Sequence, residues 1–327
     1  MHAFQVPIID ISGFEQGDRY VRDSLARIVD DTFTTSGFMV VVNHGIPGPV
    51  IADAKSTIRS FFAQPNAEKL KVRCPGQMSR GYFPHESIAS GRYGVNQDAP
   101  PDLMESFAIG AFQAPTWASD SSGSSAFEGD NIWPEGPANF RTSVEAYYLA
   151  VERMAERLMR LFARALRVEE DYFLPYFTPY NGVLRLNLYG KLTSPPLPGQ
   201  LRIGEHTDLG GFTILNTDSS CGGLQIRDSA MQWHDVEAPE NSFVINIGEL
   251  MQAWTNDRWR ATCHRVVCPR TDAENVDRLS IPFFANPDPA SIIRSVPTCL
   301  DPGSAPRHAP FESGEFRKRR MLEQQGI

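Results

Sequence analysis

The spacing of hydrophobic residues along this chain changes character near residue 183. Before that point helical periods dominate. Val6-Pro7-Ile8-Ile9-Asp10-Ile11 predicts a short strand, with Pro7 near its start where a missing N–H is tolerated. Across residues 19–35, Val21, Leu25, Ile28, Val29 and Phe33 fall on one helical face, and Gly37 ends that helix. Phe38-Met39-Val40-Val41-Val42 reads as a buried strand closed by Asn43-His44-Gly45. Residues 48–63 return to helical spacing through Val50, Ile51, Ala54, Ile58, Phe61 and Phe62. The stretch 75–136 is irregular, with short strands expected at 79–83 and 105–110. Its Pro- and Ser-rich part, 113–137, reads as loop, mobile from Ser119 to Ser125. Segment 79–112 is a candidate pocket wall, because long loops in compact domains are often lids. A long helix is expected from about 137 to 166, burying Phe140, Val144, Tyr147, Val151, Met154, Leu158, Leu161 and Phe162.

From 183 onward, short β-rich segments recur with turn signals between them, at 183–189, 201–206, 212–216, 223–227, 231–236, 242–247, 262–268 and 278–284. Eight such segments suit a jelly roll. The expected fold is therefore α+β: a double-stranded β-helix (jelly-roll, cupin-like) core flanked by N-terminal and long central helices. Four stretches follow. Residues 1–136 form a mixed helix and strand region with substrate-side loops, 137–182 a long buttressing helix and connector, 183–295 the jelly-roll core, and 296–327 a C-terminal loop and helix. There is no internal repeat.

Composition narrows the setting. A chain of 327 residues with 41% hydrophobic and 21% charged residues can bury a sizeable core and is ordinary for a globular protein. The net charge of −8, without a long basic block, argues against nucleic acid or an anionic membrane as partner. On the same balance, Arg317-Lys318-Arg319-Arg320 reads as the end of a solvated helix. No apolar run reaches the ~18 residues of a membrane span, and the N-terminus lacks the pattern of a signal peptide. Cysteines at 74, 221, 263, 268 and 299 show no CxxC spacing, and their odd number suggests reduced thiols in the cytoplasm. Nothing in the pattern speaks to oligomeric state.

The chemistry concentrates in the β-rich half. His206-Thr207-Asp208 sets an imidazole and a carboxylate two residues apart, hence on one face of a strand. Alone, this pair equally suits a turn histidine beside an Asx turn. A metal would need a third ligand, and among the seven histidines His264 is the best candidate, on a strand-like segment late in the β half. His264 alone also reads as a satisfied core histidine. Two His and one carboxylate leave open metal positions, the arrangement of non-haem Fe(II) oxygenases. Arg278-Leu279-Ser280 then offers a guanidinium fork and a hydroxyl on one strand face, a receptor for a carboxylate. Arg185-Leu186-Asn187-Leu188-Tyr189 repeats that spacing with Asn187 and Tyr189. His44 reads as a structural turn residue and His234 as part of an exposed strand.

Taken in order, these segments resemble the isopenicillin N synthase-like branch of the Fe(II)/2-oxoglutarate-dependent oxygenases over nearly the whole chain. The resemblance rests on Val6 to Asp10, Gly37-Phe38 through Ile46, Asn131-Ile132-Trp133-Pro134, His206-Thr207-Asp208, Gly223-Leu224-Gln225, Asn246-Ile247-Gly248, Thr255-Asn256, His264-Arg265-Val266 and Arg278-Leu279-Ser280. Glu249 departs from it, since Gly-Asp is commoner in the family. The resemblance implies that His206, Asp208 and His264 bind Fe(II). Arg278 and Ser280, assisted by Tyr189, would hold the distal carboxylate of 2-oxoglutarate, with Asn187 nearer the metal. It also implies O2 as oxidant, a small-molecule substrate, and release of succinate and CO2 on hydroxylation, desaturation or ring closure, as in natural-product biosynthesis. By position, Tyr82, Phe83, Arg92, Phe107, Phe212 and Phe283 are the substrate-facing candidates, although each also suits core packing and Arg92 a solvated surface. Two alternatives stand beside this reading. One is a 2-oxoglutarate-independent Fe(II) oxidase of the isopenicillin N synthase or aminocyclopropane-carboxylate oxidase type. The other is a non-catalytic small-molecule binding protein on the same scaffold.

Overall fold

A computed structural model describes residues 5–75, 80–93, 98–112, 130–177, 181–218 and 222–325. The run Ser119 to Ser125 lies outside them. In chain order the first half comprises β1 (Ile8–Asp10), α1 (Gly13–Gln16), α2 (Arg19–Thr35), β2 (Phe38–Val42), α3 (Gly48–Phe62), α4 (Asn66–Leu70), β3 (Gly81–Phe83), β4 (Glu105–Gly110) and α5 (Phe140–Ala165). Strands β5 (Val183–Tyr189), β6 (Ile203–His206), β7 (Phe212–Thr217), β8 (Leu224–Arg227), β9 (Trp233–Asp235) and β10 (Phe243–Ile247) follow. After α6 (Glu249–Trp254) come β11 (His264–Val266), β12 (Arg278–Ala285), β13 (Ile292–Ile293), β14 (Phe311–Glu312) and α7 (Ser313–Gln325).

Two sheets form the jelly-roll core. The larger has the order β1-β2-β10-β7-β12-β5-β4-β3, and the smaller β6-β11-β8-β9. Every pairing within them is antiparallel except β1 with β2. Here the structure corrects an expectation. The N-terminal region does more than buttress a separate β half, because β1 to β4 are strands of the large sheet itself. Phe243 pairs with Val41 on one flank and Glu105 with Leu188 on the other. The bare edges of β10 and β5, which would otherwise present unpaired N–H and C=O groups, are thereby covered.

Strand alternation divides the core into two layers. On β2, Met39 and Val41 face the helices while Phe38 and Val40 face the small sheet; on β10, Phe243, Ile245 and Ile247 oppose Val244 in the same way. The helix side is the larger. The long helix α5 buries Phe140, Val144, Tyr147, Val151, Met154, Leu158, Leu161 and Phe162, as its periodicity requires, and it contacts α2, α3 and β12. At its N-terminus α2 is capped by Asp18, whose Oδ1 accepts from Val21 N at 3.0 Å.

The basic run near the C-terminus is the second correction. Instead of standing wholly in solvent, α7 turns a side inward. Arg317 is buried and reaches the space between the sheets, and Arg320 donates to both oxygens of Glu249, Nε to Oε2 at 2.5 Å. Among the described residues no helix is long and apolar enough to cross a membrane.

Candidate active site

Between the sheets lies a cavity of about 580 Å³, lined by residues of both. At its inner end, His206 closes β6 and His264 opens β11, and the antiparallel ladder sets them directly opposite each other. Their ring centroids are 4.3 Å apart. His206 Nδ1 lies 2.8 Å from Gly204 O and His264 Nδ1 3.1 Å from Thr262 O. These contacts make Nδ1 the protonated nitrogen and leave each Nε2 lone pair aimed inward. Both Nε2 atoms are 3.7 Å from Oδ1 of Asp208.

Asp208 reaches this point from a turn, because β6 stops at His206. The turn is docked on the start of α6, where Glu249 N donates to Asp208 O at 2.8 Å and Leu250 N to Gly210 O at 3.2 Å. Those bonds satisfy N–H groups that a helix start leaves without intrahelical partners. Oδ2 of Asp208 accepts from Thr213 Oγ1 and from Asn246 Nδ2, the latter at 2.7 Å, so Oδ1 is the oxygen left facing the imidazoles. Burial raises the Asp208 carboxyl, but the two imidazoles and the two donors outweigh it, and the net direction is down. Burial, with His206 beside it, pushes His264 down to about 4, so at neutral pH it is the neutral imidazole that a metal requires. One ligand atom from each of the three residues lies within 4.8 Å of the others, the donor set and spacing of a site able to hold a metal ion.

A second centre lies along the large sheet. Arg278 pairs with Tyr189, and Ser280 with Asn187, across the β12–β5 ladder. Arg278 is fully buried, its guanidinium 5.1 Å from the centre of the ring of Tyr189, which lines the cavity. Among the described residues its Nε and Nη1 have no hydrogen-bond partner. A buried cation with two unsatisfied donors is costly unless an anion completes it, so the surroundings of Arg278, Tyr189 and Ser280 fit a carboxylate. Asn187 accepts a 2.7 Å hydrogen bond from Ser106 and also lines the cavity.

Family profiles match both parts of the chain. One described as non-haem dioxygenase in morphine synthesis N-terminal covers residues 6–136, and one described as 2OG-Fe(II) oxygenase superfamily covers residues 180–287. Validamycin A dioxygenase of Streptomyces hygroscopicus subsp. limoneus is 30% identical over 87% of this chain and 77% of its own length. The 2-oxoglutarate-Fe(II) type oxidoreductase hxnY of Emericella nidulans is 30% identical over 93% of this chain and 86% of its own. The chain belongs to the 2OG-Fe(II) oxygenase superfamily. A full-length Neurospora crassa protein, solved in complex with alpha-KG, superimposes with a TM-score of 0.84 at 29% identity, covering 97% of this chain and 96% of that one; it has also been solved with thymine. This superfamily member is thus an Fe(II)/2-oxoglutarate-dependent dioxygenase, with Fe(II), 2-oxoglutarate and O2 as its cofactor and co-substrates.

The substrate-side candidates separate by strand phase. Tyr82 and Phe83 line the cavity, although the Tyr82 hydroxyl turns away to donate to Glu105, which also pairs with Lys69. Phe107, Phe212 and Phe283 do not line it. All three are buried on the helix side of the large sheet, against Phe61, Phe162 and Tyr148 respectively. Their immediate neighbours Ala108, Thr213, Pro282 and Phe284 face the cavity instead, because adjacent residues of a strand point to opposite faces. Arg92 is exposed, and its Nε donates to Ala99 O. His44 is held in its turn by Asn241 O and Ile46 N, and His234 by Asp228.

Several site residues have roles that motif spacing does not assign. Thr213 and Asn246 support Asp208. Asp102, buried, accepts from Gly204 N at 2.9 Å and Ser90 N at 2.8 Å, holding the residue whose carbonyl orients His206. Gly204 must be glycine here, since a Cβ would stand 2.4 Å from the backbone nitrogen of Gly91. Arg202 is a second buried guanidinium beside Tyr189, 5.9 Å from the ring centre. Arg185, on the same strand face as Asn187 and Tyr189, was within reach of the spacing argument.

Proposed function

We propose that this dioxygenase oxidises a C–H bond of a small organic molecule, by hydroxylation, desaturation or ring closure, in natural-product biosynthesis. Hydroxylation balances as substrate plus 2-oxoglutarate plus O2 giving hydroxylated product, succinate and CO2. His206, Asp208 and His264 would hold Fe(II). Arg278, Ser280 and Tyr189 would hold the distal carboxylate of 2-oxoglutarate, with Asn187, which lines the cavity, nearer the metal. Together the bound groups supply an oxidant able to take hydrogen from a C–H bond. The protein residues orient and enclose. With the two imidazoles, Asn246 and Thr213 hold the Asp208 carboxyl down, and they fix which of its oxygens faces the imidazoles.

The observation that carries this reading is the His206, Asp208 and His264 cluster in a cavity that Tyr189 and Ser280 also line, with the buried, unsatisfied Arg278 beside Tyr189. Support for a small substrate comes from the Neurospora crassa protein, solved with thymine, and from Validamycin A dioxygenase, whose name is that of a natural product. The proposed setting is the cytoplasm, in keeping with the half-buried thiols Cys263, Cys268 and Cys299. The test is succinate release with Fe(II), 2-oxoglutarate and O2 against a library of small natural-product scaffolds. The expected result is at least one scaffold that stimulates release and is itself oxidised, with both signals lost in Asp208→Ala. Stimulated release that persists in Asp208→Ala contradicts the assignment.

A further inference from the structure

Glu249 is the point at which the C-terminal helix meets the turn that carries Asp208. Its side chain is 14% exposed, and both of its oxygens are engaged. Thr207, the residue between His206 and Asp208, donates from Oγ1 to Oε1 at 2.5 Å. Arg320 on α7 donates from Nε to Oε2 at 2.5 Å and from Nη2 to Oε1 at 3.1 Å. These contacts are charge-assisted, and one carboxylate thereby joins α7 to a side chain flanked by two of the three candidate ligands.

The backbone beneath this junction is equally close. Glu249 N donates to Asp208 O at 2.8 Å, and Gly248 N to Gly211 O at 2.9 Å. A Cβ on Gly248 would stand 2.3 Å from Gly210 O, so only glycine lets the start of α6 approach the turn this closely. The turn carrying Asp208 therefore has little room to move independently of Glu249.

A second contact leads from α7 to the same strand. The helix lies against the 3-10 helix Ser90–Tyr93, where Gly91 abuts Gly204, two residues before His206. At its start α7 is tied down by Ser313 N donating to Ser291 O at 2.9 Å and Gly314 N to Pro289 O at 2.8 Å. Further along, the Arg320–Glu249 pair holds it against α6. Arg317, one turn before Arg320 and on the same face, lines the cavity. Lys318, on another face, pairs only within the helix, with Glu315 at 4.0 Å.

We propose that Glu249 is a positioning residue that couples the docking of α7 to Fe(II) binding through Thr207. With Arg320 in place, Glu249 fixes the Thr207 hydroxyl and, with it, the backbone between His206 and Asp208. Coupling of this kind is reciprocal: docked α7 raises the affinity for Fe(II), and bound Fe(II) holds α7 docked. The cavity wall to which Arg317 belongs is therefore complete when the metal is in place. The inference rests on the reading of His206, Asp208 and His264 as the Fe(II) site.

The test is anaerobic Fe(II) titration of the full chain as wild type, Arg320→Gln, Thr207→Val and the double variant, with circular dichroism to check the fold. Either single substitution is expected to weaken Fe(II) binding about tenfold, the lower range for a lost outer partner of a metal site. The double variant should be at most about twofold weaker than the single ones, because both act through Glu249. Arg320→Lys keeps a cation for Glu249 and should lose less than Arg320→Gln does. Lys318→Gln removes only an exposed pair and should stay within about twofold of wild type. Hydrogen exchange of residues 313–320 should slow when Fe(II) binds the wild type, and Thr207→Val should lose that protection. A Glu249 that only stabilises the fold would leave this exchange insensitive to the metal. Unchanged affinity in Arg320→Gln, single effects that multiply in the double variant, or exchange indifferent to Fe(II) in the wild type each overturn the proposal. The exchange comparison needs only the wild type and Thr207→Val, so it decides the matter should Arg320→Gln fail to fold. A wild type that binds no Fe(II) is a failure of the active-site assignment, whereas one that binds it with the exchange of α7 unmoved is a failure of this inference alone.

Discussion

His264 stands directly across the β6–β11 ladder from His206, and each ring is turned by a backbone carbonyl two residues before it, Thr262 O and Gly204 O. The two imidazoles are therefore oriented by the sheet itself, before any ion arrives. Replacing either with Ala should leave the fold intact and lower Fe(II) affinity by a hundredfold or more, on the order of 3 kcal/mol. Circular dichroism and metal titration of His206→Ala and His264→Ala check this; near-native iron affinity in either variant contradicts it.

Asp208 is aimed by Asn246 and Thr213. Asn246→Ala removes one of the two donors to Oδ2 and frees the carboxylate to turn, so metal affinity should fall by roughly 10- to 100-fold, the usual effect of losing an outer partner. Titration of the variant with Fe(II) under anaerobic conditions measures it. The apparent affinity for 2-oxoglutarate, determined at saturating metal, should move much less.

Arg278 is buried with two unsatisfied donors, and its expected partner is the co-substrate. Arg278→Ala should raise the KM for 2-oxoglutarate by about 30-fold or more, corresponding to a charged, hydrogen-bonded pair of ~2 kcal/mol or above. Steady-state kinetics across 2-oxoglutarate concentration reports it. An unchanged KM would remove Arg278 from the anchor.

Phe107 packs against Phe61 and Phe140 on the helix side of the large sheet and does not line the cavity. Phe107→Ala should cost about 3–5 kcal/mol of stability, the range for an aromatic truncated in a core. Urea denaturation measures that loss. Below the unfolding transition, the KM for 2-oxoglutarate should stay within about twofold of wild type, a change worth under 0.5 kcal/mol.

The paired spacings 206/208, 278/280 and 187/189 made most of this site legible, because a strand period of two puts such residues on one face whatever the sheet. The same period does not say which face is inward. Phe283 and Phe284 are equally apolar, and only the helices packed behind the sheet decide that Phe284 sees the cavity. The partners of β10 and β5 were hidden for a different reason. They lie in the N-terminal region, and nothing local in Phe38–Val42 or Glu105–Gly110 names a pairing strand so distant in sequence. Arg317 misled by its neighbours. In Arg317-Lys318-Arg319-Arg320 a solvated helix end is the natural reading, and only the fold-back of α7 onto α6 and the cavity mouth separates one inward arginine from the rest.

The central claim is that the His206, Asp208 and His264 cluster holds Fe(II) in the same cavity in which Arg278 anchors 2-oxoglutarate. The most direct measurement is the anaerobic visible spectrum of the purified protein with Fe(II), with 2-oxoglutarate, and with both. The account predicts a weak charge-transfer band that appears only with both and is absent from Asp208→Ala. Iron that binds without producing the band, or a band that survives in Asp208→Ala, would contradict it.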